Sequence, residues 1–299
     1  MKKILLFSAF ALSLFSMEVT VSIVPQKYFV EKIAKDKVDV NLMVKPGFSP
    51  ATYEPKVSQM KKLTKSDIYF SIGVPFEKVW LKKFENANKN MEIIDTTKGI
   101  KKLAMAKHTH GEKEHGHEEH GHENHGYDDN KKDKHEHTGL DPHVWLDPVL
   151  VKTQAKNILD ALIKHDSKNS EFYTNNYNTF VTELDELNHE IHEILEPYEH
   201  KEFMVFHPSW GYFAKRYHLE QLSIEVEGKE PKPNELVEII KDAKKHNIKI
   251  VFVAPQFSKN SAKTISKSLN GTVAVINPLS ENWDKELLKT AKEIANSYK

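Results

Sequence analysis

The sequence of 299 residues contains no cysteine, so an exported form of the chain needs no disulfide bonds and carries no lipid on an N-terminal cysteine. Its 43 basic residues balance its 43 acidic residues, and this neutrality argues against a nucleic-acid partner. Beyond its amino terminus it has no hydrophobic run long enough to cross a bilayer, which argues against a channel or a permease. It also lacks an HExxH motif and any nucleophile motif of the Ser or Cys type, which argues against a hydrolase.

The first residues have the pattern of a secretory signal peptide. Lys2 and Lys3 form a charged start, and residues 4–15 form an apolar run too short to span a bilayer with polar flanks. We therefore predict a signal peptide over residues 1–17, cleaved near residues 16–18, and a mature protein in the periplasm without a lipid anchor. A retained membrane anchor is the alternative.

Histidine is concentrated in one internal stretch, residues 108–137, which we call the histidine tract and which holds nine of the seventeen histidines. Most of its other residues are Gly, Glu, Asp, Asn or Lys, so it has no apolar groups with which to fold by itself. Imidazole suits zinc, copper and nickel better than calcium or magnesium. The tract therefore indicates metal binding, and a solvated insertion without a role is the alternative. The auxiliary metal ligands predicted here are His108, His110, His115, His117, His120, His122, His125, His135 and His137.

Strand-like and helix-like segments alternate twice along the chain, over residues 19–96 and again over residues 203–278. This alternation predicts an α/β protein with two lobes, each a mostly parallel sheet flanked by helices. Between them, apolar residues recur at steps of three and four, which predicts one long helix over residues 170–196 that joins the lobes. The predicted boundaries are an N-terminal lobe over 18–168 that contains the tract, a linking helix over 169–197 and a C-terminal lobe over 198–299.

Two histidines outside the tract lie where α/β proteins bind ligands, beyond the carboxyl ends of strands. His207 ends the strand-like run FMVFH, and Pro208 follows it directly. His143 lies in LDPHVWLDP, where Pro142 restrains the chain and Trp145 can pack the loop down. Each histidine alone is also consistent with an ordinary structural role. With one in each predicted lobe, the pair favours a metal site in the cleft between the lobes.

Eight blocks spread over nearly the whole mature chain carry a family resemblance. They are KPGFSPATYEP (45–55), GVPFEKVW (73–80), the acidic histidine tract, LDPHVWLDP (140–148), FHPSWGYFAKRYHLE (206–220), EVEGKEPKP (225–233), FVAPQFS (252–258) and INPLSENW (276–283). Together they resemble the metal-binding receptors of ABC transporters for zinc and manganese, and most closely the zinc-specific branch. The resemblance implies two lobes joined by a single long helix, with the metal held between them. It also implies that an insertion rich in His and acidic residues marks the zinc members.

Carried over position by position, the resemblance implies that His143 and His207 are metal ligands. Histidine at position 207 also favours zinc, because the manganese members have a carboxylate there. Two positions depart from the family pattern. Ala51 stands where the family usually has a histidine, and Asn277 stands where an aspartate commonly supplies a ligand. Since a methyl group cannot bind zinc and an amide is a poor substitute for a carboxylate, the ligands that the resemblance implies do not form a complete set.

Three candidates are available to complete the set of ligands. The first is Glu77, which follows GVPF at a strand-to-helix turn, although an acid stabilised by the helix dipole is the alternative role for it. The second is a tract histidine, with His135 and His137 nearest in sequence to His143. The third is water, or a carboxylate of the EVEGKEP segment, Glu225 or Glu227.

The expected function is that of a periplasmic receptor that captures Zn²⁺, its transported ligand, and delivers it to an inner-membrane ABC permease. We expect a monomer, with the tract collecting metal weakly for a tighter site. Three alternatives stay open at this point. They are a receptor for manganese, nickel, cobalt or copper, a zinc hydrolase, and a histidine-rich storage protein whose function is the tract itself.

Overall fold

The computed structural model describes residues 16–105, 139–225, 229–257 and 259–299, without the side chains of 259–261. The chain divides into two compact units by its internal contacts. Unit 1 contains the chain up to Lys45, Ser49–Lys98 and Gln154–Val181, and unit 2 contains Pro46–Phe48, Gly99–Thr153 and Thr182–Lys299. This division interleaves segments of the chain, whereas the predicted lobe boundaries are consecutive, and those boundaries remain a prediction.

Unit 1 is built on a four-stranded sheet in which every neighbouring pair of strands is parallel and the strand order is β2-β1-β3-β4. All four residues of the central β3 are buried, as expected for a parallel strand covered on both faces. The strands are β1 Met17–Val21, β2 Val38–Leu42, β3 Ile68–Ser71 and β4 Glu92–Asp95, and the helices between them are α1 Val24–Ala34, α2 Val57–Leu63 and α3 Pro75–Ala87.

Unit 2 repeats the plan with a second parallel sheet, in the strand order β6-β5-β7-β8. Its strands are β5 Glu202–Val205, β6 Glu220–Ser223, β7 Ile250–Val253 and β8 Thr272–Val275, and its helices are α6 Gly211–Arg216, α7 Pro233–Lys245, α8 Lys259–Ser268 and α9 Trp283–Ser297. Met204, Val251 and Val253 of the sheet pack with Ile239 of α7 and Ile265 of α8 into one buried core. The two parallel sheets confirm the predicted fold class.

Two further helices, α4 Pro148–His165 and α5 Ser170–Leu195, carry the chain through both units. The 26 residues of α5 confirm the long helix that the apolar spacing predicts, and they extend over roughly 40 Å. Its residues up to Val181 belong to unit 1 and those from Thr182 to unit 2. Pro197 lies in a single 3₁₀ turn that follows the helix and ends it.

The helices α4 and α9 were not predicted from the sequence, although both carry a helical spacing of buried apolar residues. In α4 these residues include Val151, Ala155 and Ile158, and in α9 they include Leu287 and Ala291. Both helices lie outside residues 19–96 and 203–278, the two ranges over which the alternation was read. No helix in the described part of the chain is both long and apolar enough to cross a membrane.

Candidate metal site

The segment that carries His143 is fastened to unit 2 by main-chain and side-chain hydrogen bonds. The Asp141 N–H donates to the Leu103 carbonyl oxygen at 2.8 Å, and Ala104 and Leu140 form an antiparallel bridge. Tyr212 of α6 donates its hydroxyl hydrogen to the Asp141 carbonyl oxygen at 2.9 Å. The segments that flank residues 106–138 are therefore paired with each other, and the segment that follows them leads directly to His143.

Trp145 fixes the turn that follows His143. Its indole N–H donates to the Pro278 carbonyl oxygen at 2.7 Å, and its own carbonyl oxygen accepts the indole N–H of Trp283 at 2.8 Å. The Trp145 side chain is buried, and its ring centroid lies 5.0 Å from that of His143. Trp145 packs the loop down as predicted, and it ties His143 to the segment that follows β8.

The imidazole of His143 is oriented by the carboxylate of Asp141. Asp141 Oδ1 lies 2.6 Å from His143 Nδ1 and also accepts the His143 main-chain N–H at 3.0 Å. Because a carboxylate only accepts hydrogen bonds, this contact places a hydrogen on Nδ1, and the neutral form of the ring then carries its lone pair on Nε2. Both side chains are largely buried, with exposed fractions of 11% for His143 and 4% for Asp141.

His207 is oriented in the same way by a carboxylate on the neighbouring strand. Val205 of β5 pairs with Ser223 of β6, so the residues two places beyond them, His207 and Glu225, leave the same edge of the sheet side by side. Glu225 Oε2 lies 2.5 Å from His207 Nδ1, which again leaves Nε2 available. Phe257 stacks on the other side of the imidazole, with a centroid separation of 4.8 Å.

The two imidazoles lie edge to face within unit 2, with ring centroids 5.5 Å apart and an interplanar angle of 73°. A zinc–nitrogen bond of about 2.0–2.1 Å places a ring centroid roughly 3 Å from the ion, so two rings at this separation can share one ion at a bent angle. The predicted boundaries put His143 in the first lobe, whereas the contacts of Asp141 and Trp145 draw its segment into unit 2.

Asp141 was not predicted as a partner of His143, and Glu225 was predicted only as a candidate ligand. The signal for Asp141 was its position two residues before His143, where an Asp side chain accepts main-chain N–H groups. The signal for Glu225 required the register between β5 and β6, which the sequence does not contain. A carboxylate on the second nitrogen of a histidine is the arrangement that orients metal-bound imidazoles in proteins.

Glu77 lies in unit 1, where both of its carboxylate oxygens accept hydrogen bonds. Oε1 accepts from the Ile72 N–H at 3.0 Å and from the Ser22 hydroxyl, and Oε2 accepts from the Gly73 N–H at 2.7 Å. Gly73 has a φ of 93°, which turns the chain from β3 into α3 and directs its N–H to the carboxylate. These contacts match the alternative role of a helix N-terminal acid, and a role as metal ligand remains a prediction.

Burial raises the pKa of Glu77 to about 7, although Ser22 and the two main-chain N–H groups act in the opposite direction. The folded chain therefore holds a proton on Glu77 at pH values where the unfolded chain has lost it, so stability falls as pH rises from about 4.5 through 7. Between about pH 5 and about pH 8, we expect the free energy of unfolding to fall in the unchanged chain. This fall should be larger than the fall in Glu77→Gln by on the order of 2 kcal/mol. Urea unfolding at both pH values measures this difference.

The same variant separates the two roles of Glu77. If the carboxylate only caps the turn, Glu77→Gln keeps the zinc affinity of the unchanged chain, whereas a ligand role predicts weaker zinc binding. A pH dependence of unfolding that is identical in both proteins would contradict the buried, protonated state of Glu77.

The two departures from the family pattern have ordinary structural partners. Ala51 is exposed in unit 1, and its N–H donates to the Ser49 hydroxyl oxygen at 3.2 Å. The side-chain oxygen of Asn277 accepts the Leu279 N–H and a Gln256 side-chain N–H, both at 3.1 Å. Neither residue adds a charged ligand to the two histidines.

Several predicted ligands lie outside the described residues, namely the nine tract histidines and Glu227. Within the described ranges, no group of three or more His, Cys, Asp or Glu side chains is arranged to hold a metal ion. The described chain therefore offers the Nε2 atoms of two imidazoles, each ring held at its Nδ1 by a buried carboxylate.

The sequence matches, over residues 19–297, the family described as the periplasmic component A of the zinc-uptake complex, ZnuA. The chain belongs to this family. ZnuA proteins are solute-binding receptors, so the chain is a zinc-binding receptor of ABC transport and not an enzyme, and Zn²⁺ is its transported ligand. The family also places its function outside the cytoplasm.

Individual ZnuA-like proteins support this assignment. The chain is 28% identical over 274 residues to the high-affinity zinc uptake system protein ZnuA of Bacillus subtilis, covering 90% of this chain and 80% of that protein. It is also 28% identical over 275 residues to the zinc-binding protein AdcA of Streptococcus pyogenes, covering 91% of this chain but 52% of AdcA. The chain thus spans about half the length of that second relative.

Solved structures agree with the fold described above. A crystal structure of ZnuA superposes with a TM-score of 0.83 at 39% identity, covering 95% of this chain and all of that one. A ZnuA deletion mutant with zinc bound superposes with a TM-score of 0.81, also at 39% identity, covering 94% of this chain and 98% of that one.

Proposed function

We propose that this ZnuA family member holds Zn²⁺ between the Nε2 atoms of His143 and His207, in a cleft between its lobes. It then delivers the ion to an inner-membrane ABC permease. The mature chain acts as a monomer in the periplasm, after cleavage of its signal peptide near residues 16–18 and without a lipid anchor. A further ligand from the tract, from Glu77 or from water completes the coordination of the ion.

The observation that carries this proposal is the pair of imidazoles 5.5 Å apart, each with its Nδ1 on a buried carboxylate. Imidazole nitrogen suits Zn²⁺, and two neutral ligands leave room for exchangeable ones, as a transport site requires. The carboxylates Asp141 and Glu225 increase the basicity of the nitrogens that face the ion. Within unit 2, both imidazoles are held by a carboxylate and packed against an aromatic ring, Trp145 for His143 and Phe257 for His207.

A calorimetric titration of the mature chain with Zn²⁺ tests this function. We expect one tight site, followed by weaker binding from the tract. A storage protein would instead show several weak sites and no tight one. Competition with Mn²⁺, Ni²⁺ and Co²⁺ identifies the cargo, and tighter binding of any of these ions than of Zn²⁺ would contradict the proposal.

The carboxylates behind the imidazoles are expected to tune the affinity. We expect Glu225→Gln and Asp141→Asn each to weaken zinc binding by about 10–100-fold, because an amide does not fix the hydrogen on Nδ1 or increase the basicity of Nε2. The dissociation constant from competition with a chelating dye measures this change. Glu220→Gln is the matched control, since Glu220 is an exposed carboxylate of β6. An equal loss of zinc affinity in that variant would contradict a specific role of Glu225.

The tract is proposed to raise the zinc concentration near the tight site through many weak ligands. Because Ala104 and Leu140 already pair across its ends, a short Gly-Ser linker can replace residues 108–137 while both arms are kept. We expect the deletion to lower the number of zinc ions bound and to slow capture at scarce zinc, while one tight site remains. A collapse of that tight affinity, measured by the same competition, would show that a tract histidine is one of its ligands.

A further inference from the structure

Two more histidines lie next to the strands β5 and β6. They precede the amino ends of these strands, whereas His207 and Glu225 follow the carboxyl ends. His200 precedes β5 and His218 precedes β6, and the parallel register of these strands sets the two residues opposite each other. Their ring centroids lie 6.5 Å apart, and both residues are exposed. Neither imidazole has a hydrogen-bond partner among the residues that the structure describes.

The main chain holds the two turns together. The His200 N–H donates to the His218 carbonyl oxygen at 2.6 Å, and the Glu220 N–H donates to the Lys201 carbonyl oxygen at 3.0 Å. Both histidines have left-handed φ values, 63° for His200 and 54° for His218, which non-glycine residues rarely adopt. Main-chain hydrogen bonds therefore hold the two turns together beneath the imidazoles, and both histidines are exposed.

We propose that His200 and His218 form a second metal site on the surface of unit 2, for Zn²⁺ or another divalent transition ion that prefers imidazole, with water as the remaining ligands. Two rings that share an ion have centroids at most about 6 Å apart. The separation of 6.5 Å in the structure is larger, so a rotation of the exposed side chains is required to bring both nitrogens within bonding distance of one ion. With two protein ligands and free access to solvent, this site binds more weakly than the site at His143 and His207 and loads after it.

The second site is independent of the proposed transport site. His200 and His207 are at opposite ends of the strand β5, and at about 3.3 Å per residue their main chains lie roughly 20 Å apart. The tight site can therefore be filled, or removed, without changing His200 and His218. A negative result for the transport site in the calorimetric titration therefore does not decide the second site, which has its own NMR measurement.

A zinc titration of the mature chain, begun with the tight site already filled, tests the second site. The Cε1–H NMR signals of His200 and His218 are recorded at each zinc concentration. We expect the two signals to shift with one common midpoint. In His218→Asn, the midpoint of His200 is expected to move to about tenfold higher zinc or more, because the neighbouring imidazole no longer supplies a second ligand at high effective concentration. Asparagine tolerates the left-handed φ, so this variant retains the turn.

The control is His192→Asn, which removes an exposed histidine of α5 and is expected to leave both signals unchanged. Different midpoints for the two histidines, or an unchanged midpoint for His200 in His218→Asn, would overturn the site. A midpoint that depends on protein concentration would also overturn it, because the ion would then bridge two copies of the chain. If His218→Asn does not fold, His200→Asn gives the mirror-image measurement on His218.

Discussion

Zinc binding by His207→Ala is expected to be weaker than that of the unchanged chain by a factor of about 10²–10³. Protein zinc sites have apparent binding free energies of roughly 10–16 kcal/mol shared among about four ligands, so the loss of one ligand removes about 3 kcal/mol or more. The substitution also leaves the carboxylate of Glu225, which is 7% exposed, without its imidazole partner. Competition with a chelating dye measures the dissociation constant.

His143→Ala is expected to have a comparable effect, because both imidazoles are proposed to bind the same ion. For the same reason the effects are not additive, and the double variant is expected to lose less than the sum of the two single losses. His192→Ala on the exposed face of α5 is the control and should retain the full affinity. A loss of less than tenfold in both single variants would place the tight site elsewhere in the chain.

The fold was largely predictable because its signals are local. Alternating strand-like and helix-like runs predicted the α/β class, and the apolar spacing from Tyr177 to Ile194 predicted α5, whose buried residues include Phe180 and Leu184. The helices α4 and α9 carry the same kind of signal but lie outside the alternation. They show that a helix can be read from its own apolar spacing outside a strand–helix alternation.

The site was predictable only in part, because its partners come from different strands and loops. His143 and His207 were predicted from their positions after a turn and a strand, and from the family resemblance. The contact of Glu225 with His207 depends on the register that pairs Val205 with Ser223, and a shift of one residue would turn Glu225 to the other face of its strand. Register is a property of the folded sheet, so the sequence of either strand alone does not contain it.

Gly271→Ala is expected to lower the free energy of unfolding by more than about 4 kcal/mol, which places it among the exceptional single substitutions. A Cβ atom at Gly271 would lie 1.8 Å from the Lys249 carbonyl oxygen and 2.7 Å from its carbonyl carbon, so main chain rather than a side chain would have to move. The same carbonyl oxygen accepts the Thr272 N–H at 2.8 Å, at the point where β8 begins to pair with β7. Thermal unfolding measures the loss, expected at about 10 °C or more.

The matched control is Gly139→Ala, because a Cβ atom there has no neighbour within 4 Å and the main chain is not in the left-handed region. A melting temperature for Gly271→Ala within a few degrees of the control would contradict the close approach of Gly271 to Lys249. The effect is also expected to reach the metal site, because β8 leads into the segment whose Pro278 carbonyl oxygen holds the indole of Trp145. A displaced β8 would release Trp145 and the turn that carries His143. The fraction of Gly271→Ala that remains folded is therefore expected to bind zinc more weakly, although none of the proposed ligands has changed.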